Sequence, residues 1–282
     1  MTTHKITGDI MSADAFKIVE TDHIHIPNLL DVFQGKIAGC LFKGVIRPED
    51  CSMIAKNFWD SSHLRQRSDG VPGNFLGTYH YKKILQDYLN ESDYFNAILP
   101  SIFSNTTNVF QDIMDQMQSD LNPTNKKVRP AKHNTQEACH FFMRSWPGQM
   151  DADYALAPHD DGAQCTDRKQ AGFEIQTTVH SPIVAANFCI ENVGSGNLHY
   201  WNIQPDLKTK KMLDIEETGY PYPPELLREF DMIDLSVNAG DIYFFNGKNI
   251  HAVSSPKTQE SYRTTISCLM GKNDHHDIIY WT

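Results

Sequence analysis

From Cys139 onward the chain is a succession of short apolar runs, each closed by turn residues. Cys139–Trp146, Val184–Ile190, Leu198–Ile203, Asp241–Phe245 and Tyr262–Met270 are such runs, each about five to nine residues long. Pro147-Gly148, Gly194-Ser195-Gly196, Ala239-Gly240-Asp241 and Asn246-Gly247 punctuate them. Apolar segments of that length, bounded by Gly, Pro and Asn, predict strands rather than helices. Several in series predict a mainly β fold, a sandwich or barrel of the jelly-roll kind. The stretch 204–234, with its Tyr220-Pro221-Tyr222-Pro223-Pro224 run, reads as an insertion between two of these strands.

The first half has a different texture. Its first 35 residues carry little pattern beyond a strand near Phe16–Val19. Ile37–Ile46 reads as a strand, and Arg47-Pro48-Glu49-Asp50 then opens a helix. Proline suits a first helical position, and the two acids favour the positive end of the helix dipole. Met53, Ile54, Phe58 and Trp59 recur at helical spacing. Between 81 and 121, Phe95, Ile98, Leu99, Ile102 and Phe103 form one stripe, which Val109, Phe110, Ile113, Met114 and Met117 continue. Pro100 interrupts the run and predicts a kink or two helices. Such a stripe is a core-facing surface. The expected architecture is therefore a helical layer over about 48–121, covering a β core over about 137–272. There is no internal repeat and no linker, so 1–282 is expected to be one domain.

Charge and cysteine usage narrow the partners. Against 35 acidic residues stand 25 basic ones, a formal net charge of −10, and the longest basic clusters are pairs such as Lys126-Lys127 and Lys210-Lys211. A phosphate backbone is gripped by clustered Lys and Arg, so nucleic acid is not expected as a partner. No apolar run approaches the roughly 18 residues of a membrane helix, and Met1-Thr2-Thr3-His4-Lys5 lacks the apolar core of a secretory signal. The six cysteines form no Cys-x-x-Cys pair, as expected of reduced thiols in a cytoplasmic protein. The pattern does not disclose an oligomeric state.

The chemistry concentrates in Ala157-Pro158-His159-Asp160-Asp161-Gly162. In an extended chain residues i and i+2 share a face, so His159 and Asp161 are placed to offer an imidazole nitrogen and a carboxylate oxygen to one metal ion, with Asp160 pointing away. Alone this is weak: 13 histidines in a chain this rich in Asp give about one His-x-Asp by chance. A second copy does occur at His275-His276-Asp277, where a polar C-terminal loop is the better reading. A third ligand separates the two. Ala239-Gly240-Asp241 feeds the apolar run through Phe245, and His251 follows shortly, as when a jelly roll returns a ligand to the same barrel mouth. Two histidines and a carboxylate make a facial triad suited to non-haem Fe(II). Twelve residues after His251, Arg263 stands in Tyr262-Arg263-Thr264-Thr265. An arginine there can hold a carboxylate through two parallel hydrogen bonds, and Thr265 shares its strand face.

In order and spacing, His159-x-Asp161, His251 about 90 residues on, and then Arg263 resemble the Fe(II)/2-oxoglutarate-dependent oxygenases. More narrowly, the chain resembles the branch of hapalindole-type alkaloid halogenases and N-substituted amino-acid hydroxylases. The resemblance is carried by the Gly-Asp turn, Phe245-Asn246-Gly247, His251-x-Val253-Ser254, Arg263-Thr264 and the closing Ile279-Tyr280-Trp281-Thr282, and more weakly by Leu41–Val45 and 196–202. It covers about half the chain; 60–130 and 204–234 carry no part of it. The resemblance implies a double-stranded β-helix (jelly-roll, cupin-like) with flanking helices. It also implies Fe(II) on His159, Asp161 and His251, 2-oxoglutarate anchored by Arg263 with Thr265, and O2 as co-substrate. Halogenases of this branch carry glycine at the carboxylate position, whereas this chain has Asp161, so hydroxylation of an unactivated C–H bond, with release of succinate and CO2, is the implied reaction. Ring closure and desaturation use the same residues. A 2-oxoglutarate-independent cupin-like metal enzyme and a non-catalytic binding module are the alternatives; Arg263 argues against the first and the intact triad against the second.

A small free metabolite, an amino acid or a related carboxylated intermediate of natural-product biosynthesis, is the expected substrate. Arg144, in His140–Trp146, is the candidate for its carboxylate, with Phe142 and Trp146 packing beside it; facing outward it would be a snorkelling surface arginine. Trp201 is a second candidate pocket wall, with core packing as the equal alternative. Residues 162–180, with Gln164, Arg168, Lys169 and Gln170, read as a polar loop placed to close over substrate. His140 and the His23-Ile24-His25 pair are read as structural.

Overall fold

A computed structural model of the chain describes residues 5–66, 73–147, 152–194, 196–255, 258 and 260–282. The turns expected at Gly148 and Ser195 lie outside the described residues. Two sheets form the centre. The larger runs in the order Ile18–Thr21, Gly39–Phe42, Ile242–Asn246, Val184–Val193, Tyr262–Lys272, Phe142–Pro147, Asn74–Leu76 and Arg65–Gln66, with Ile278–Trp281 also paired to Tyr262–Lys272. The smaller runs Tyr154–His159, His251–Ser254, Leu198–Trp201, Met232–Leu235. The strands expected from the apolar runs are all present, within a few residues of the expected limits, and the architecture is the jelly-roll type without a closed barrel.

Strand alternation explains both faces of the larger sheet. Successive side chains point to opposite sides. Along Tyr262–Lys272, Ile266 and Met270 pack beneath the helices, Arg263, Thr265, Ser267 and Leu269 line a cavity on the other side, and Cys268 belongs to the core cluster while also bordering the cavity. On the paired strands, Ala186, Phe188 and Phe244 share the helix side, and Ala185, Asn187, Tyr243 and Phe245 the cavity side. Because both faces are covered, the strands read in sequence as continuous apolar runs. Burying a side chain such as Phe188 or Phe244 contributes about 1.5–3 kcal/mol.

The helical layer forms where expected, with two differences. Pro48–Trp59 has Pro48 in its first turn and buries Cys51, Ile54, Ala55 and Phe58. Trp59, expected on the inner stripe, is instead 39% exposed and donates its indole N–H to Glu191. The chain between 81 and 121 divides as Pro100 requires: helix Leu85–Ile98, a 3-10 turn Leu99–Phe103, then helix Val109–Leu121, whose first turn is capped by the Asn108 side chain accepting from Gln111 N–H at 3.0 Å. Helix Ile26–Phe33 was not expected. It has Pro27 in its first turn and buries Ile26, Leu29, Val32 and Phe33, too short a stripe to stand out in sequence. All these helices share one apolar cluster with the larger sheet.

The insertion is folded rather than loose. Helix Leu207–Leu213 starts at Asp206, whose carboxylate accepts from Thr209 N–H, and Ile215, Tyr222 and Leu227 pack with Trp201, Ile203 and Ile250. Residues 162–180 likewise form three consecutive 3-10 turns with Ala163, Cys165, Gln170, Phe173 and Ile175 buried. This is a packed wall rather than a polar flap, because alternate residues of a seemingly polar stretch are apolar. All six cysteines are free and buried. Among the described residues no helix is long and apolar enough to cross a membrane.

Candidate active site

The site begins with a cross-strand pair. His159 ends the strand Tyr154–His159 and is the register partner of His251, which opens the neighbouring antiparallel strand. Directly opposed residues share a face, and the two imidazoles come within 4.1 Å, centroid to centroid. Asp161 lies two residues beyond the strand end, where its N–H donates to Gly247 carbonyl at 2.8 Å. That bond fixes the turn. Its carboxylate then reaches both histidines, with Oδ1 3.9 Å from His159 Nε2 and Oδ2 3.4 Å from His251 Nε2.

Each imidazole is oriented from behind. His159 Nδ1 lies 2.9 Å from Ala157 carbonyl, and His251 Nδ1 lies 2.9 Å from Asn249 carbonyl. A carbonyl only accepts, so both Nδ1 atoms carry the proton and both Nε2 lone pairs face Asp161. Burial pushes each imidazole down to about 4; for His159 the neighbouring His251 adds to the effect and Asp161 opposes it. Burial raises Asp161 to about 6, with the charge of His159 acting against it. Near neutral pH the site thus presents two neutral imidazoles and one carboxylate, buried together, with one donor atom from each within 4.8 Å of the others. The donor set, two imidazole nitrogens and one carboxylate oxygen buried together, would suit a divalent iron that keeps further positions open.

The cavity that opens from this cluster encloses about 180 Å³. The larger sheet contributes Arg144, Asn187, Tyr243, Arg263 and Thr265, and the smaller contributes Leu156, Leu198 and Val253. Register explains why two arginines meet here: Arg144 is opposite Thr265, and Arg263 is opposite Trp146. Arg144 is half-buried, with its guanidinium 4.9 Å from the Phe142 ring centre and 4.4 Å from that of Trp146. Arg263 is 2% exposed; Nη1 donates to Gly196 carbonyl at 3.2 Å, and Nε has no partner among the described residues. A buried guanidinium with an unsatisfied N–H is placed to receive a carboxylate. Thr265 Oγ1 lies 3.3 Å from Ser267 Oγ, which also donates to Asn187 Oδ1 at 2.8 Å.

The structure brings His159, Asp161, His251, Arg263, Thr265, Arg144 and Phe142 to one cavity. Trp201 is the exception. Its neighbour Tyr200 is the register partner of His251 and faces inward, so alternation turns Trp201 outward, into the cluster of Ile203, Tyr222 and Ile250. Of the other residues weighed in the sequence, Gln164 lines the cavity and its Nε2 donates to Asp161 Oδ1 at 3.4 Å, whereas Arg168 and Lys169 are exposed. His140 pairs with Glu137, and the His275-His276-Asp277 copy is a turn before the last strand. Among the described residues only His159, Asp161 and His251 form a metal-competent group. Sequence reading missed Asn187 and Tyr243, whose facing follows only from how their strands pair, and Tyr79–Lys82, Thr218 and Tyr220, which carry no signal of their own.

No family model matches the chain. It is similar to the L-isoleucine 3(1)-dioxygenase of Pantoea ananatis (strain AJ13355), with 33% identity over 247 residues that cover 82% of this chain and 79% of that enzyme. Among solved structures, an N-substituted L-amino acid dioxygenase from Burkholderia ambifaria AMMD superposes with a TM-score of 0.60 at 15% identity, over 90% of each chain. Its complex with α-ketoglutarate superposes with a TM-score of 0.54 at the same identity, over 91% of this chain and 90% of that one. The structural matches show a shared fold. The relationship to the Pantoea enzyme sets aside the cupin-like and non-catalytic alternatives: the chain belongs to the Fe(II)/2-oxoglutarate-dependent oxygenases.

Proposed function

We propose that this oxygenase hydroxylates an aliphatic C–H bond of a small free amino acid. The observation that carries the reading is the pair of arginines on one cavity wall, since 2-oxoglutarate and an amino acid each bring a carboxylate to be held. The name of the Pantoea relative supports the same substrate class. In this reading His159, Asp161 and His251 hold Fe(II), and Arg263 with Thr265 holds the distal carboxylate of 2-oxoglutarate. When bound, these cofactors activate O2 and supply the oxidant for the C–H bond, with release of succinate and CO2.

The protein's share is placement. Arg144, stiffened by its stacking between Phe142 and Trp146, holds the substrate carboxylate and so fixes which carbon faces the metal. Leu156, Leu198, Val253 and Leu269 give the aliphatic side chain an apolar wall. Asp161 fills the carboxylate position, which favours hydroxylation over halide transfer. The six free buried thiols support a reducing, cytoplasmic setting. The test is succinate release from Fe(II)-loaded protein with 2-oxoglutarate and a panel of free amino acids. Stimulation by aliphatic amino acids, with a product heavier by one oxygen atom, supports the reading; a panel in which none stimulates turnover overturns it.

A further inference from the structure

Asp160 sits between two residues of the site and is itself fully buried, turned away from the cavity. Its carboxylate is fastened from three sides. Oδ1 accepts from Ala163 N–H at 3.0 Å and from Lys210 Nζ at 2.9 Å, and Oδ2 accepts from Tyr222 hydroxyl at 2.8 Å. Lys210 and Tyr222 both belong to the insertion. The backbone repeats the connection: Asp160 N–H donates to Gly219 carbonyl at 3.0 Å and Tyr222 N–H to Pro158 carbonyl at 2.8 Å. Segment 219–222 therefore covers the free edge of the strand that ends in His159. At Gly219, φ is +61° and a Cβ would collide with the Asp160 carbonyl, so the close approach requires glycine.

The attachment has a cavity-side result. Thr218 and Tyr220 line the cavity, and the Tyr220 ring lies 6.4 Å from that of His159, edge towards face. A residue on either side of the Gly219 bond is thus carried to the reacting end of the cavity by chain that is otherwise remote from it. We propose that this part of the insertion is the substrate-selecting wall, with Tyr220 touching the substrate. Asp160, clamped by Lys210 and Tyr222, is the positioning residue that holds the wall against the metal-binding turn. The proposal rests on the amino-acid reading above for the nature of the substrate, but not for the clamp.

The test uses the full chain with Tyr222→Phe, Lys210→Met and Tyr220→Ala. Tyr222→Phe removes one hydroxyl and serves as the variant least disturbing to folding. For each, Co(II) affinity, KM for 2-oxoglutarate, KM for amino acids of graded size, product formed per succinate, and hydrogen exchange are measured. Tyr222→Phe and Lys210→Met should raise the amino-acid KM at least fivefold and lower product per succinate. Their Co(II) affinity and KM for 2-oxoglutarate should stay within twofold of the parent, while the Asp160 and Tyr222 amides exchange faster. Tyr220→Ala should shift relative kcat/KM towards bulkier amino acids at least fivefold. Unchanged amino-acid KM and ranking would overturn the proposal, as would Co(II) affinity falling in step with substrate affinity, which would mark a prop for the metal turn alone. If no amino acid stimulates the parent protein, the substrate reading fails separately, and unaltered exchange at Asp160 and Tyr222 would then overturn the clamp.

Discussion

His251 Nε2 stands 3.4 Å from Asp161 Oδ2, although the two residues are ninety positions apart and belong to different elements. What joins them is a strand pair on one side and the Asp161–Gly247 backbone bond on the other. Two buried imidazole lone pairs and a buried carboxylate that converge on one point gain from a shared cation. Metal binding should therefore stabilise the fold: at a hundredfold excess over Kd, linkage gives about 2.7 kcal/mol. Calorimetry with Fe(II) under anaerobic conditions should show this rise in Tm for the parent and none for His251→Ala. The visible charge-transfer band expected on adding 2-oxoglutarate should vanish in the same variant.

Gly247 offers a sharper probe of ligand geometry. A Cβ there would lie 2.5 Å from Asp161 Oδ2, with backbone that any residue can adopt. Gly247→Ala should fold with near-parental stability yet push the carboxylate out of line. A Co(II) titration should show affinity reduced about 10- to 100-fold, the range for disturbed support of a metal ligand. Affinity equal to the parent's would mean that Asp161 is not a ligand.

The two arginines should separate by substrate. Hydrogen bonds to charged groups contribute about 1.5–3 kcal/mol each, so loss of a single such bond is about tenfold or more in affinity. Arg263→Ala should raise KM for 2-oxoglutarate by at least that factor and leave Fe(II) bound. Arg144→Ala should raise KM for the amino acid and spare 2-oxoglutarate. Steady-state kinetics with each component varied in turn decides the assignment, and reversed effects would exchange the two roles.

A third buried imidazole predicts an acid response. His80 Nδ1 donates to Gln170 Oε1 at 2.8 Å, the Gln170 amide donates back to His80 carbonyl, and burial lowers the ring to about 4. The unfolded chain titrates near 6.5, so between 6.5 and 4 it binds a proton that the folded protein does not. Stability from this group is complete above about 6.5 and is lost as the pH falls towards 4, by about 3 kcal/mol. Denaturant unfolding across that range should show a shallower slope in His80→Gln than in the parent.

Much of the site was legible because its parts are local and chemically unusual. The His159-x-Asp161 spacing, the Gly240-Asp241 turn before His251, and Arg263 twelve residues beyond it each stand out in one stretch of chain. Strand positions were legible too, but their facing was not. In Leu198-His199-Tyr200-Trp201 large side chains alternate with large side chains, and only the pairing of Tyr200 with His251 shows that Trp201 turns away. Helix Ile26–Phe33 is hidden by its length, and the 162–180 wall by the exposed polar residues that stand between its buried ones. Strand alternation turns Asp160 away from His159 and Asp161, but its partners Lys210 and Tyr222 lie fifty and more residues distant. No local pattern announces such a contact.

The two-sided strands of the larger sheet carry one more implication. Arg263, Thr265, Ser267 and Leu269 belong to the cavity, while Ile266 and Met270 belong to the apolar core. Recognition and folding are thus written on interleaved positions of one segment. A directed library can vary Asn187, Tyr243 and Leu269 together while the helix-facing residues between them stay as they are, so new substrates are within reach of few mutations and at little cost to the fold.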